Sequence, residues 1–582
     1  MDESRGASWH TSAVRKVRVR GPATVALVIG LLLPGPAGAS ASASVVVVGS
    51  AVKVRPTDVV TGAPSASLTA ARNEFESFQV VVQTDATPLA GLTVSLLQPL
   101  SGSGGTIPAD DVTIYREGYY DVVVPSDSEG AKGLWPDALI PSVDPWYHEP
   151  RNAFPIDIPA TTNQAVWVDV LVPFDQAAGG YDGSIEVTAD GGLDVTVPVH
   201  LDVIDWTMPS TASLASGFDM EWDGVCLAHY GEDCITHESD GWSLKSLYGR
   251  AALEDRISLA YLQYQPLASA QERSWFEQYD LPLFDGTAPT RLPGAKLTSI
   301  YVDTGPWLAS WRDEARAKGF EDRSIAYVCD EPNQDPAAWK QCRSRARNTL
   351  GGWPEVSILI TSTINDAVRF HANGLIDTLV PIANEMHDKA GTYAGDQRPH
   401  YDAFLRDARN RLWMYTSCET EGCGDPPSPE TYWNGWPGYA IDEPASEARA
   451  MGWQSFRYKA TGELYYDVDY SLSTAWASDL YDFGGNGDGT LFYPGRPDVV
   501  GGTHDIPIES MRLKLIRDGY EDYEYMKFLQ DNGFGSQAFG IVRGLFPTMY
   551  GSARSDSDVQ AARLQLIGLV GAVLARRLPA GA

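Results

Sequence analysis

The sequence predicts a β-sandwich followed by a (β/α)8 barrel of the TIM type, with a helical extension at the C-terminus. Three observations support this prediction. The chain has 582 residues, which is too many for one hydrophobic core. Residues 45–207 hold short β-rich segments between Gly, Asp and Pro turns, whereas residues 210–530 alternate apolar strands with helical stretches. Residues 531–582 include an apolar run, Leu564–Leu574, that fits a packed terminal helix.

The first 39 residues have the pattern of a secretory signal peptide. Basic residues precede the apolar run Ala23–Leu33, and the small residues Ala37–Ala39 offer a cleavage site. The run is short for a bilayer span, although a retained anchor is an alternative. We therefore expect a secreted or extracellular protein with no stable membrane insertion after signal cleavage.

Six cysteines fall into three close pairs along the chain. In an exported protein such pairs predict disulfides, here Cys226–Cys234, Cys329–Cys342 and Cys418–Cys423. No Cys-x-x-Cys spacing is present, so a zinc site is not expected, and no other metal site is predicted.

The composition favours a glycan partner. The formal net charge of −32 argues against nucleic acid and anionic lipid surfaces. The chain contains 17 Trp and 27 Tyr, and aromatic rings stack on the C–H faces of sugars. The composition does not predict an oligomeric state.

The sandwich region contains one segment without strand patterning. Residues 121–160 hold two tryptophan-containing stretches between the predicted strands. Long loops in compact domains are often functional, so we expect this segment to reach over the active site of the neighbouring domain.

Eight strands alternate with helices in the second region, which fits a (β/α)8 barrel. A doubly wound open sheet is the alternative, but no Gly-rich dinucleotide loop follows the first strand. The predicted strands are Ser216–Glu221, Ser258–Tyr264, Ser299–Asp303, Ile325–Asp330, Ser357–Ser362, Leu379–Asn384, Leu412–Thr416 and Ser455–Tyr458.

The ends of these strands carry polar side chains, and barrel enzymes place their active sites at the C-terminal strand ends. The most informative end is Asp330-Glu331-Pro332, which follows an apolar strand. Pro332 should hold Glu331 in an extended conformation. Two adjacent carboxyls should raise at least one pKa, which suits a general acid for a glycosidic oxygen.

Two mechanisms are compatible with this pair. In a two-carboxylate retaining scheme, Glu331 is the acid and Glu385 is the nucleophile. In a substrate-assisted scheme, the 2-acetamido oxygen of the sugar attacks, one carboxyl protonates the leaving group, and its neighbour orients the acetamido N–H. Adjacent Asp and Glu favour the second scheme.

The sequence resembles glycoside hydrolase family 123, the β-N-acetylgalactosaminidases, over most of the mature chain. The resemblance rests on segments Tyr327–Pro332, Asn384–Asp388, Trp413–Cys418, Gly452–Tyr458, Gly487–Gly495 and Arg512–Tyr525. It implies a sandwich followed by a barrel, and retaining hydrolysis of β-linked N-acetylhexosamine. It also implies that Glu331 is the general acid/base, that Asp330 stabilises the acetamido group, and that no cofactor is required.

Further candidates for sugar binding follow from the strand ends and the aromatic residues. They are Asn384, Glu385, Tyr415, Tyr458, Trp413, Trp222 and Trp476. The Arg512–Tyr525 segment has apolar residues at helical spacing and is predicted to be a packing helix. A non-catalytic glycan-binding or cell-envelope protein on the same scaffold is the alternative function.

Overall fold

The structure is a computed structural model that describes residues 43–221, 223–260, 269–417, 420 and 432–577. The side chains of 235–238 and 577 are outside the description. Residues Ala41–Ala582 form one compact unit. The predicted signal peptide, Trp222 and the Cys418–Cys423 pair lie outside the described residues.

The N-terminal domain consists of two β-sheets packed face to face. The first sheet has the order β1-β3-β9-β6-β7, and the second has the order β2-β11-β10-β4-β5 with β8 paired to β4. The strands are β1 (Ala43–Gly49), β2 (Ala66–Arg72), β3 (Glu74–Thr84), β4 (Leu89–Gly102), β5 (Gly105–Thr106), β6 (Val112–Val122), β7 (Gly133–Pro141), β8 (Ile156–Ile158), β9 (Asn163–Val172), β10 (Gly179–Ala189) and β11 (Leu193–Thr207).

Strand β9 shows how this domain joins the rest of the chain. All ten of its residues are buried. Val168 and Val170 pack in the sandwich core, whereas Trp167 and Leu171 belong to the large core shared with the barrel helices. Alternate residues of a strand point to opposite faces, so the first sheet is covered on both sides.

The second domain is an eight-stranded, all-parallel barrel. Its strands are β12 (Ala215–Asp219), β13 (Leu259–Ala260), β14 (Ile300–Tyr301), β15 (Ser324–Cys329), β16 (Ser357–Ile360), β17 (Thr378–Leu379), β18 (Arg411–Tyr415) and β19 (Gly462–Tyr465). Their order is β13-β12-β19-β18-β17-β16-β15-β14, so the ring closes except that the described residues show no pairing between β13 and β14. Ile325, Leu359 and Leu464 fill its interior.

Seven predicted strands coincide with barrel strands, and the eighth prediction was wrong. Residues 455–458 lie in the helix Ala445–Tyr458, which is buried at every position. The eighth strand is β19, Gly462–Tyr465, which pairs with β12 and β18. The sixth strand is also shorter than predicted, because Ala383–Met386 forms a helical turn after β17.

The helices cover the barrel and extend beyond it. They are Gly224–Tyr230, Cys234–Glu254, Ala270–Trp275, Leu281–Asp285, Leu308–Lys318, Pro336–Gly352, Ile364–Arg369, Ala383–Met386, Ala445–Tyr458, Pro497–Val500, Met511–Asp531, Gly535–Leu545 and Asp556–Arg577. Two small hairpins complete the described structure, β20 (Tyr481–Asp482) with β21 (Gly485–Asn486), and β22 (Phe492–Gly495) with β23 (Ile506–Glu509).

The helix Met511–Asp531, called here the central helix, packs against both domains through buried ion pairs. Arg517 bonds to Asp169 of β9 at 2.8 Å, and Arg512 bonds to Asp137 of β7 at 2.8 Å. On the other side, Arg449 of the helix Ala445–Tyr458 bonds to Asp522 at 2.7 Å. The predicted packing helix is therefore present, and its charged residues join the two domains.

The C-terminal helix is also packed rather than isolated. By length and composition, the segment Asp556–Arg576 is the one helix in the described chain that is apolar enough to cross a membrane. Of its apolar 18-residue stretch, 39% is buried inside the protein. Arg563 is buried within it and bonds to Glu74 and Glu76 of β3, both at 2.7 Å. These ion pairs hold the helix against the sandwich.

The segment 121–160 differs from the predicted structureless loop. It contains β7 and β8. It contacts the second domain through Asp137 and through Ser126, which donates to Asp442. None of its residues lines the cavity described below. The segment therefore joins the domains rather than covering the active site.

Two of the three predicted disulfides are present. Cys226 is bonded to Cys234, and Cys329 is bonded to Cys342. The second disulfide ties the end of β15 to the helix Pro336–Gly352.

Candidate active site

The Asp330-Glu331 pair lies immediately after β15, at the C-terminal end of the barrel. Asp330 is exposed and Glu331 is partly buried. Glu331 has a φ of 35°, in the left-handed region, so the expected extended conformation was wrong. Its N–H donates to Thr361 Oγ1 at 2.7 Å, which holds this unfavourable backbone in place.

Asp330 accepts two hydroxyl hydrogen bonds on the same oxygen. Tyr327 Oη donates to Asp330 Oδ1 at 2.6 Å, and Thr361 Oγ1 donates to it at 2.9 Å. Burial raises the pKa of Tyr327 well above its usual value, so this hydroxyl remains a donor. The two bonds orient the carboxylate, and no described residue donates to Asp330 Oδ2.

Glu331 is held by a different hydroxyl. Tyr415 at the end of β18 donates from its Oη to Glu331 Oε1. Adjacent carboxylates on one loop thus have separate partners on separate strands. This separation allows the two groups to perform different tasks.

The loop that follows the pair is fixed at several points. Cys329 and Cys342 form the disulfide, Trp339 Nε1 donates to the carbonyl of Asn333 at 2.8 Å, and Asp335 caps the following helix through the Ala337 N–H. These contacts limit the movement of the loop and therefore of the two carboxylates.

The pair opens into a cavity of about 380 Å³ at the mouth of the barrel. This volume is near the small end of ligand pockets. The lining residues are Asp219, Tyr327, Asp330, Glu331, Thr361, Tyr415, Ser417, Leu464, Tyr466, Phe483 and Asp488. They include four carboxyl groups, four aromatic rings and no Lys or Arg.

Asp219 is the third carboxyl of this cavity. Its Oδ1 is buried and has no hydrogen-bond donor among the described residues. Burial raises its pKa well above the usual value, and the charges of Asp467, Asp330 and Glu221 add to this effect. Burial also raises the pKa of Asp467 to about 6. This wall of the cavity therefore favours neutral carboxyl groups.

Asp488 lies in the turn Gly487-Asp488-Gly489 and is fully buried. Tyr465 Oη donates to Asp488 Oδ1 at 3.1 Å. Burial raises the pKa of Asp488 to about 7, against the opposing effect of hydrogen bonds from Tyr465 and Tyr466. Gly489 has a φ of 71°, and a Cβ there would lie 2.5 Å from Tyr466 Oη.

The structure brings together only part of the predicted site. Tyr415 joins Asp330 and Glu331 in the cavity, but Asn384 and Glu385 do not line it. Glu385 lies instead on the short helix after β17. The role of Glu385 in the two-carboxylate scheme stays a prediction.

Three of the predicted aromatic contacts lie elsewhere. Trp413 fills the barrel interior and lines a cavity at the opposite end of the strands. Trp476 packs on Tyr493 and donates its Nε1–H to the Pro494 carbonyl. Tyr458 is buried, with its hydroxyl 2.6 Å from His387 Nδ1. Trp413 and Tyr458 are buried and Trp476 is partly buried, and none of the three lines the cavity of Asp330 and Glu331.

Sequence reasoning did not assign most of the cavity residues to ligand binding. The unassigned residues include Tyr327, Thr361, Ser417, Leu464, Tyr466 and Phe483. Thr361 had a usable signal, because it follows an apolar strand as Asp330 does. Phe483 had none, since nothing in its local pattern distinguishes an exposed ring from a buried one.

No group of His, Cys, Asp or Glu side chains in the described chain is arranged to hold a metal ion. Hydroxyl groups donate to three carboxyls of the cavity, Asp330, Glu331 and Asp488.

Two family descriptions match the chain. Residues 52–189 match the glycoside hydrolase 123 N-terminal domain, and residues 303–529 match the glycoside hydrolase 123 catalytic domain. The matches cover most of the sandwich and of the barrel, including Asp330 and Glu331. No curated protein matches the sequence.

The fold is similar to that of a solved glycoside hydrolase. A family 123 enzyme of glycolipid glycan hydrolysis from Clostridium perfringens aligns with a TM-score of 0.66 at 14% identity, over 92% of this chain and 98% of that one. A family 5 xyloglucanase from Bacteroides ovatus aligns over 78% of this chain and 98% of its own at 11% identity. Its TM-score of 0.25 is too low to indicate a shared fold. The fold and both domain matches agree: the chain is a glycoside hydrolase and belongs to family 123.

Proposed function

We propose that this protein is a secreted, retaining glycosidase that removes terminal β-linked N-acetylhexosamine, preferentially N-acetylgalactosamine, by substrate-assisted catalysis. One observation carries the proposal. Asp330 and Glu331 are adjacent, line the same cavity, and accept hydrogen bonds from different hydroxyl groups. Two carboxyls with separate supports suit two separate roles toward one sugar.

The proposed first step breaks the glycosidic bond without an enzyme nucleophile. The acetamido carbonyl oxygen attacks C1, the bond from C1 to the leaving oxygen breaks, and Glu331 donates its proton to that oxygen. Asp330 accepts a hydrogen bond from the acetamido N–H and balances the positive charge of the resulting oxazolinium ring. Its Oδ2 is available for this bond, because Tyr327 and Thr361 both donate to Oδ1.

The second step returns the enzyme to its starting state. Glu331, now ionised, takes a proton from a water molecule that attacks C1, and the ring opens to regenerate the acetamido group. Two inversions at C1 give net retention. Positioned intramolecular attack supplies up to roughly 7–11 kcal/mol toward the barrier.

The remaining cavity walls fit a single sugar. The buried Oδ1 of Asp219 has no described protein donor, and a sugar hydroxyl would supply one. The cavity volume of about 380 Å³ favours a terminal residue over an internal stretch of chain. The preference for the galacto epimer and for glycolipid glycans is taken from the family and from the Clostridium perfringens relative.

The decisive experiment compares Glu331→Gln with Glu385→Gln on a disaccharide ending in β-N-acetylgalactosamine. We expect Glu331→Gln to lower kcat/KM by roughly 10²–10⁴-fold and Glu385→Gln to leave it within a few-fold of wild type. With a 4-nitrophenyl leaving group, the loss in Glu331→Gln should be smaller, because that group needs little protonation.

The outcomes separate the competing mechanisms. Loss of activity in Glu385→Gln, together with hydrolysis of a β-galactoside that has a 2-hydroxyl, would favour the two-carboxylate scheme. Wild-type turnover by Glu331→Gln would refute the proposal. If the wild-type protein binds N-acetylhexosamine glycans but hydrolyses none, a binding function is the better description.

A further inference from the structure

The hairpin formed by β20 and β21 has an unusual turn. Tyr481 pairs with Asn486 and Asp482 pairs with Gly485, which leaves Phe483-Gly484 as a two-residue connection. Both residues have positive φ, 50° at Phe483 and 107° at Gly484. Such turns favour Asn, Asp or Gly at the first position, because a side chain with positive φ meets the backbone.

A bulky aromatic residue at this position costs stability, and packing covers only part of its surface. Phe483 is 47% exposed. Strained backbone positions occur preferentially at functional sites, where the orientation of the side chain matters more than its conformational energy. The hairpin therefore holds the Phe483 ring in one place, at the edge of the cavity that contains Glu331.

Phe483 is part of a continuous set of rings, called here the aromatic wall. Its ring centroid lies 5.1 Å from that of Tyr470 and 5.8 Å from that of Tyr466. Tyr470 is 50% exposed, and Tyr466 is partly buried and lines the cavity. The wall thus runs from the cavity lining to the solvent.

The two ends of the cavity differ in chemistry. The inner end has buried Tyr415 and Leu464 beside the carboxyl groups. The outer end offers exposed rings, which bind an apolar face better than they bind hydroxyl groups. A terminal sugar held at the inner end would direct its glycosidic bond, and the next residue, toward the mouth.

We propose that the aromatic wall is a subsite for the leaving group, where Phe483 and Tyr470 stack against the C–H face of the pyranose attached to the terminal N-acetylhexosamine. The subsite rests on the proposed function, since it needs a substrate that is cleaved in this cavity. It adds a preference for a glycan over a simple alkyl glycoside, which the carboxylate pair alone does not produce.

The test uses Phe483→Asn, which removes the ring and supplies a residue suited to the turn. We expect the Tm to stay equal to or above that of wild type. For a disaccharide with terminal β-N-acetylgalactosamine, kcat/KM should fall about tenfold. For methyl β-N-acetylgalactosaminide, which has no sugar leaving group, it should change by less than about twofold.

Two further variants complete the design. Phe483→Trp keeps an aromatic ring and should retain the disaccharide activity. Phe174→Asn removes an equally exposed ring in the sandwich and should leave kcat/KM unchanged for both substrates. Equal losses on both substrates in Phe483→Asn, or no loss on either, would overturn the subsite. If wild type cleaves neither substrate, the proposed function itself fails.

Discussion

The central helix and the cavity of Asp330 and Glu331 are both rich in charged residues, but the two regions use these residues in opposite ways. Around the central helix, Arg517 and Asp169 are fully buried and bonded to each other. In the cavity, four carboxyl groups gather, and the described lining residues include no Lys or Arg; hydroxyl groups donate to Asp330, Glu331 and Asp488. Paired charges build a rigid scaffold, whereas Asp219 and Asp488 of the cavity, whose pKa values burial raises, favour the neutral form.

The largest expected effect tests the scaffold. Arg517→Met should reduce the free energy of unfolding by about 3–5 kcal/mol, because the buried Asp169 would lose its guanidinium partner and keep only Lys514, at 3.8 Å, as a counter-charge. Arg409→Met is the control, since Arg409 is half-exposed and its bond to Asp377 should contribute about 0–1 kcal/mol. Chemical denaturation measures the free energy of unfolding of both variants. Similar small reductions in the two variants would mean that the buried ion pairs are not required for stability.

An intermediate effect is expected in the cavity. Tyr415→Phe removes the hydroxyl that donates to Glu331 and should lower kcat/KM by about 10–100-fold, with little change in stability. Tyr458→Phe is the matched control, because its hydroxyl contacts His387 outside the cavity. Kinetics of the two variants on one N-acetylgalactosaminide would decide the point, and an equal loss in both would contradict a role for Tyr415 at the site.

The smallest effect concerns pH. Burial raises the pKa of Asp488 to about 7, so the neutral form is favoured in the folded protein. Above the unfolded value near 3.8, folding then requires proton uptake, and the stability contributed by this group is lost as the pH rises toward 7. Asp488→Asn should flatten the fall in Tm between pH 5 and 8.

The slope attributable to Asp488 is at most about 1.4 kcal/mol per pH unit. Asp479→Asn, an exposed position nearby, should leave the pH dependence unchanged. An unchanged slope in Asp488→Asn would mean that Asp488 is ionised in the folded protein.

The barrel and its catalytic strand could be predicted because their signals are local. An apolar run ending in Asp330-Glu331 marks both a buried strand and a polar strand end. The eighth strand was misplaced because Gly462–Tyr465 contains Glu463, whose carboxylate is buried between the hydroxyls of Tyr439 and Tyr520. The two tyrosines that bond to the buried Glu463 are distant in the sequence, so a short sequence window does not show that a charged residue can be buried there.

Several aromatic residues that the sequence predicts to bind sugar do not line the cavity, for a related reason. A tryptophan in a strand, such as Trp413, faces the barrel interior or the solvent according to the register and the neighbours. Phe483 is recognisable only when the positive φ of its turn is known. Side-chain identity therefore predicted the carboxyl groups of the site better than its aromatic surfaces.

The joining of the two domains by the central helix bears on how this enzyme can be modified. Arg512 and Arg517 take their partners from β7 and β9 of the sandwich. Removal of residues 1–207 would take away Asp137 and Asp169, the sandwich partners of these guanidinium groups, and would uncover the barrel surface that packs against Trp167. The barrel therefore should not be transferred alone. The sandwich contributes residues to the core of the barrel domain, so both domains should be kept together in any fusion or domain exchange.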